Sequence, residues 1–219
     1  MNLFTEKWKF MSREARINGF LVIFFTVGVA GLGLEATREL FIGLMPVSLL
    51  LGMGLMFWAQ DRWKWKYVLV FLLVALLGFF VEVVGVLTGE VFGEYSYGRA
   101  LGTQIWDTPP MIGLNWLMLV YCVYIIFRKT RLHVLLQVLL GAGLMVVYDL
   151  IMEPVAIRLD MWSWGSYDIP LQNYIAWFLI SLVLLAIFHI AQSRFRNRVA
   201  PTLFFVQLGF FIALNLILV

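Results

Sequence analysis

Cysteine is nearly absent from this chain, and so is charge. The single cysteine, Cys122, cannot close an intramolecular disulfide or anchor a thiolate metal cluster. It sits inside an apolar run, where a free thiol packs as a small hydrophobe. Only 13% of the 219 residues are charged and 63% are hydrophobic, with a mean hydropathy of +0.92. Soluble domains are roughly half apolar and about a quarter charged. Composition therefore excludes a soluble globular enzyme and a disordered chain. The net charge of +3 is too small for the footprint of a polyanion partner, which argues against nucleic acid. The 2 histidines form no cluster for haem or di-iron. A Gly-rich phosphate loop and a Ser-His-Asp set are also missing. The last apolar run has no lysine for a retinal-type Schiff base.

Long apolar runs are what the sequence has instead. A membrane helix needs roughly 20 mostly apolar residues. Seven stretches qualify: Ile17–Leu34, Leu40–Ala59, Tyr67–Leu87, Met111–Phe127, Leu132–Met152, Tyr174–Ile190 and Pro201–Val219. The expected fold is all-α: a polytopic bundle of seven transmembrane helices, a single domain over residues 1–219, in a cell membrane. Met1–Arg16 reads as an amphipathic cytoplasmic segment, without a small-residue cleavage site before the first span.

Basic residues set the orientation. Lys7, Lys9, Arg13, Arg16, Arg62, Lys64, Lys66, Arg128, Lys129, Arg131, Arg194, Arg196 and Arg198 fall on one side of the seven crossings. Only Arg38, Arg99 and Arg158 fall on the other. The expected topology places the N-terminus in the cytoplasm and the C-terminus outside. Trp63, Trp65 and Tyr67 read as an inner aromatic belt, and His133 and His189 as residues of cytoplasmic helix ends. Acids are distributed the opposite way. Glu6, Glu14 and Asp61 lie on the basic side, and the remaining acids in or beyond the outer half. Chemistry is therefore expected in the outer half.

Two hairpins share one order of features. The first has Glu82, then Tyr95-Ser96-Tyr97-Gly98, then Asp107-Thr108-Pro109, then Asn115-Trp116. The second has Glu153, then Trp162-Ser163-Trp164-Gly165, then Asp168-Ile169-Pro170, then Asn173-Tyr174. The order predicts a parallel internal repeat, helices three and four against five and six, about an axis along the membrane normal. Glu82 would match Glu153 and Asn115 would match Asn173. In an extended backbone both rings of each aromatic-Ser-aromatic triplet share a face. Such rings are either an interfacial belt or the walls of a pocket.

Ionisable groups inside apolar spans are functional candidates. Glu82 lies near the outer end of span three. Asp149 and Glu153 are four residues apart and share a helical face. Pro154 predicts that the helix stops at Glu153. Asn115 and Gln137 add amides that either glue the bundle or serve a site. A carboxyl out of water holds its proton more firmly and can act as a general acid. Aromatic faces attract cations. Acid and rings together suit chemistry through a carbocation. The prediction is one largely apolar cavity lined by Glu82, Asp149 and Glu153, opening toward the outer half of the membrane or sideways to lipid. Asp149-x-x-x-Glu153 is loosely like the aspartate motifs that hold magnesium for prenyl diphosphates. Outside, however, only Arg99 and Arg158 are available to bind a diphosphate.

Phe92-Gly93-Glu94-Tyr95-Ser96-Tyr97 with Leu101-Gly102, Asp149 to Ala156, and Trp162-Ser163-Trp164 through Pro170 to Asn173-Tyr174 carry a resemblance. Over residues 67–190 the chain resembles the integral-membrane carotenoid biosynthesis proteins, which include bisanhydrobacterioruberin hydratase and carotenoid 1,2-hydratases. The resemblance implies cofactor-free addition of water to the terminal double bond of an acyclic carotenoid, and no residue is singled out as a metal ligand. The implied partners are that polyene, the bilayer and other enzymes of its pathway. On the residues alone, Glu82 is the expected acid and Asp149 and Glu153 place water, with the reverse assignment open. Tyr95, Tyr97, Asn115, Trp162, Trp164, Asn173, Tyr174 and Trp177 are the expected substrate contacts. A carotenoid end-group cyclase, a prenyl-transferring elongase and a lipid or carotenoid carrier are the alternatives.

Overall fold

The computed structural model describes residues 11–166, 168–191 and 195–219. Most of the expected cytoplasmic segment, with Lys7 and Lys9, lies outside the described residues, as does Arg194. Eight helices follow in order: α1 (Arg13–Gly33), α2 (Glu35–Gly43), α3 (Met45–Trp58), α4 (Trp65–Thr88), α5 (Met111–Arg128), α6 (Val134–Arg158), α7 (Leu171–Ile190) and α8 (Ala200–Leu218). Two short strands lie in the connections, β1 (Tyr95–Tyr97) after α4 and β2 (Trp162–Trp164) after α6.

Six of these helices are long and apolar enough to cross a membrane. Their outward faces are leucine-rich. Leu69, Leu72, Leu73, Leu76 and Leu77 of α4 are all exposed, as suits a lipid-facing surface. The expected second span is different. Leu40–Ala59 is not one helix but the end of α2 and all of α3, which meet at Leu44 with a 60° bend. Pro46 opens α3, where its missing N–H is harmless, and cannot extend a preceding helix. The 14 residues of α3 span about 21 Å at 1.5 Å per residue, short of a hydrocarbon core of about 30 Å. The apolar run is long enough to cross, but its local chemistry breaks it.

At the centre stands α5, where Trp116 to Ile125 are all buried in succession. A helix apolar all round must be enclosed. It packs on α4, α6, α7 and α8, with α3 alongside, while α1 closes on α8. Small residues let the backbones approach. A Cβ at Gly113 of α5 would lie 2.5 Å from the Ala75 carbonyl of α4, and one at Gly78 of α4 would lie 2.6 Å from Trp116 Cβ. Without a hydrophobic drive between helices in lipid, such close packing is the main cohesive force. Cys122 is buried in this centre with its thiol 3.6 Å from Met56 Sδ, as an apolar-run cysteine should be.

One end of the bundle gathers the basic connections. Lys66 donates to the Ala191 carbonyl, Arg128 to that of Phe195, and Asp61, Arg62, Arg128 and Arg196 line a common recess. Trp63 and Trp65 are exposed there, as a belt requires. Tyr67 is not: it is buried with its ring 4.5 Å from Phe195, so it belongs to the packing. His133 caps α6, its Nδ1 accepting from Leu135 N, and His189 sits in the last turn of α7. Gln137 folds back on the Leu132 carbonyl.

A buried amide ties this end together. Asn197 Oδ1 accepts from the backbone N–H groups of Val199 and Ala200 at the start of α8. Its Nδ2 donates to the Met56 carbonyl and to Tyr121 Oη, which itself donates to Gln60. Asn197→Ala removes a helix cap and strands a buried carbonyl. The expected loss is about 2–4 kcal/mol, read as a lower unfolding temperature in detergent.

Candidate active site

The opposite end carries the two strands, and they pair with each other. β1 and β2 are antiparallel with Ser96 opposite Ser163, Tyr95 opposite Trp164 and Tyr97 opposite Trp162. Alternation along a strand sends serines and rings to opposite faces. The serine hydroxyls meet on the exposed face, 3.2 Å apart. All four rings turn inward to buried carboxyls. Gly89 ends α4 in the left-handed conformation at φ 69°, which lets the chain turn back toward β1.

Each strand serves the acid of its own hairpin. Tyr95 and Tyr97 hydroxyls donate to Glu82 Oε2 at 2.6 and 2.7 Å. The indoles of Trp162 and Trp164 donate to Glu153 Oε2 at 3.0 and 3.1 Å. The second helix of each hairpin supplies the next donor. Trp116 Nε1 of α5 donates to Glu82 Oε1 at 2.8 Å. Asn173 Nδ2 of α7 donates to Asp149 Oδ2 at 2.8 Å and reaches Glu153 Oε1 at 3.4 Å. Glu82, Asp149 and Glu153 keep 4%, 0% and 1% of their surface, so only these donors replace water. Asp149 Oδ1 has no hydrogen-bond partner among the described residues. Burial first, and Glu82 second, push the Tyr95 and Tyr97 phenols far above the ordinary tyrosine range. Both therefore keep their protons.

Glu82, Glu153 and Asn173, with the rings of Tyr95, Tyr97, Trp162, Trp164 and Trp177, line a chamber of about 20 Å³. One water needs about 10–15 Å³ measured this way. The chamber takes a single water, not a hydrocarbon end group. Trp177 also packs on Trp116, with ring centres 4.3 Å apart and planes tilted by 32°. Among the described residues no three acidic, histidine or cysteine side chains converge as a metal-binding set.

Several expectations need correction. Glu153 does not mark a helix end. α6 runs on to Arg158 with Pro154 inside it. The carbonyl left without its helical donor is that of Leu150, four residues back, and at the next residue Asn215 Nδ2 of α8 donates to the Ile151 carbonyl at 2.6 Å. Both acids thus sit well inside α6. Asp149 does not line the chamber but lies behind Asn173. The chamber that holds Glu82 and Glu153 is small, and a larger apolar cavity of about 180 Å³ adjoins it. Asn115 lines that apolar cavity, and Tyr174 lines neither space. Trp116, missed as a site residue, takes the place expected of Asn115. Adjacent helical residues point about 100° apart, and the sequence does not say which of the two faces Glu82. Ile112, also missed, lines both spaces.

A family model described as carotenoid biosynthesis protein matches residues 44–219. The match extends past both ends of the expected core at 67–190. The bisanhydrobacterioruberin hydratase of Haloarcula japonica is 26% identical over 129 residues, covering 55% of this chain. The alignment spans 44% of that relative's own length, less than half. No solved structure matches.

Proposed function

Because the chain belongs to the carotenoid biosynthesis protein family, we propose that it hydrates the terminal double bond of an acyclic carotenoid, without a cofactor. The observation that carries this reading is the chamber: two buried carboxyls in different hydrogen-bonding surroundings, room for one water, and aromatic walls.

Surroundings divide the roles. Glu82 Oε2 lies between two phenols, and a hydroxyl can donate or accept. A proton on Glu82 can therefore be held, released and regained without leaving any group unsatisfied. Glu153 faces donor-only indole and amide N–H groups, which suit a resting carboxylate. In the proposed step the Ile112 side chain, which lines both spaces, turns aside to admit the alkene, and Glu82 gives its proton to the less substituted alkene carbon. The π electrons form the new C–H bond and leave a tertiary cation facing the rings. Water, oriented by Glu153, bonds to the cationic carbon and passes its extra proton to Glu153. Return of that proton to Glu82 closes the cycle, and the net change is one water added. Asp149 positions Glu153 through their shared Asn173.

The same reading takes α4–β1–α5 and α6–β2–α7 as repeats about an axis along the membrane normal. Strand register centred on Ser96 and Ser163 supports it, as does the matched donation to Glu82 and Glu153. It also keeps the N-terminus cytoplasmic and the chamber in the outer half, from the distribution of basic residues. A prenyl-transfer reading needs a cation for a diphosphate. Arg99 is instead engaged by Glu39 at 2.6 Å and Asp160 at 3.5 Å.

Pigment analysis of a lycopene-producing host expressing this chain tests the reading. The expected product gains the mass of one water per reacted end. Unchanged mass with altered retention would point to a cyclase instead, and unaltered pigment would sink both for this substrate.

A further inference from the structure

One apolar cavity has no part in the chemistry above. It lies beside the carboxyl chamber, has a volume of about 180 Å³, and is bounded by residues of α1, α2, α3, α5, α6 and α8. Ile112 and Trp162 line both spaces, so these two side chains are the wall between them. We propose that this cavity binds the terminal isoprenoid units of an acyclic polyene, which enter sideways from the bilayer and meet the acids across the Ile112–Trp162 wall. The proposal rests on the hydration reading and says where its substrate lies.

Three observations carry it. The first is chemistry. None of the residues bounding the cavity carries a formal charge, and phenylalanine, leucine and methionine predominate. A diphosphate or a lipid headgroup would find no counter-charge there, whereas a hydrocarbon needs none.

Size is the second. An apolar protein cavity of about 150 Å³ holds one benzene. A cavity of about 180 Å³ thus takes one or two branched five-carbon units, and the rest of a long polyene must lie outside the protein. That restricts recognition to the end of the chain.

The third is the mouth. Val27 of α1 and Leu44 at the α2–α3 break bound the cavity, yet are 52% and 41% exposed. A residue that both lines a cavity and faces outward marks an opening, and here the outward surface is apolar. The 60° bend at Leu44 parts α2 from α3 beside that opening. At the inner end, the Trp162 indole N–H is held by Glu153 while its ring walls the cavity. An alkene pressed against that ring lies beside the chamber's water and within reach of a cation-stabilising face.

The test uses the full-length chain in detergent, with Glu82→Gln as the parent so that pigment is retained rather than consumed, and lycopene as the probe. Bound pigment per folded molecule is read from absorbance after gel filtration. Met45→Trp fills the cavity away from the acids and is expected to lower bound lycopene at least ten-fold. Leu87→Trp, on the exposed face of α4, is expected to leave it unchanged. If Met45→Trp lowers the unfolding temperature, Leu49→Phe provides a smaller filling, with a graded loss expected. Pigment bound equally by the parent and by the filled variants overturns the proposal, as does a parent that binds none. With Glu82 restored, the two readings separate. Met45-dependent binding without any mass gain leaves the cavity assignment standing and removes hydration. Hydration at the unsubstituted rate in Met45→Trp does the reverse.

Discussion

Glu82→Gln is expected to lower turnover per folded molecule by at least the roughly 10²–10⁴-fold that general acid catalysis contributes, while the protein stays folded. The amide keeps the side chain's shape but has no transferable acid proton. Its oxygen can still accept from Trp116, and its N–H₂ can donate to the Tyr95 and Tyr97 oxygens, which accept as readily as they donate. Glu153→Gln is the contrasting case. Two indole N–H groups converge on one Glu153 oxygen and Asn173 approaches the other, so an amide N–H₂ at either position faces a donor. One buried donor left unsatisfied costs about 1–3 kcal/mol, and stability should fall with activity. Product formed per folded molecule, measured beside the unfolding temperature, separates the two. Near-normal turnover in Glu82→Gln would remove Glu82 as the acid and move that role to Glu153, the other carboxyl of the chamber.

Gly113→Val should be the most damaging substitution in the packing. A Cβ there meets the Ala75 carbonyl at 2.5 Å and Phe79 Cβ at 2.8 Å. The first obstacle is backbone, so α4 and α5 must move apart rather than let a side chain turn. Overpacking a core costs about 1–3 kcal/mol and occasionally more. Because the obstacle is backbone and valine adds two further methyl groups, the expected loss is at the upper end, about 3 kcal/mol or more. Separation of the helices also draws Trp116 from Glu82, since the same crossing seats Trp116 against Gly78. Thermal unfolding and near-ultraviolet circular dichroism of the tryptophans read the two effects. An unchanged unfolding temperature would mean that the helices do not cross so closely at Gly113.

Apolar run length revealed six of the helices in the sequence because a membrane span is chiefly a matter of composition and length. At Leu40–Ala59 the same criterion found the apolar run but not its 60° bend, which Leu44 and Pro46 impose and average hydropathy does not register. Proline misled in the other direction at Pro154. Its lost bond reads as a stop in isolation, yet α6 continues through it to Arg158. The site was legible as a set of acids and rings, because buried carboxyls are rare enough to stand out and the Tyr-x-Tyr and Trp-x-Trp spacings fix a shared face. Its interior was not. Whether Asn115 or Trp116 turns to Glu82 depends on the rotation of α5, and that rotation is fixed by Gly113 and Gly78. The division into a small acid-bearing chamber and a larger apolar cavity depends on Trp162 and on Ile112, an ordinary residue in an apolar run.

Glu82 draws Tyr95, Tyr97 and Trp116 from its own hairpin, and Glu153 draws Trp162, Trp164 and Asn173 from its own. This has a consequence for biogenesis. A bare carboxyl carried into hydrocarbon is costly, and a chain emerging helix by helix cannot wait for distant partners. Here every described donor to Glu82 and Glu153 lies within the pair of helices that delivers the acid. Each hairpin can therefore enter the bilayer with its acid already satisfied, in either order. The seam of Ser96 against Ser163 and the contact of Trp116 with Trp177 wait for the second hairpin to arrive.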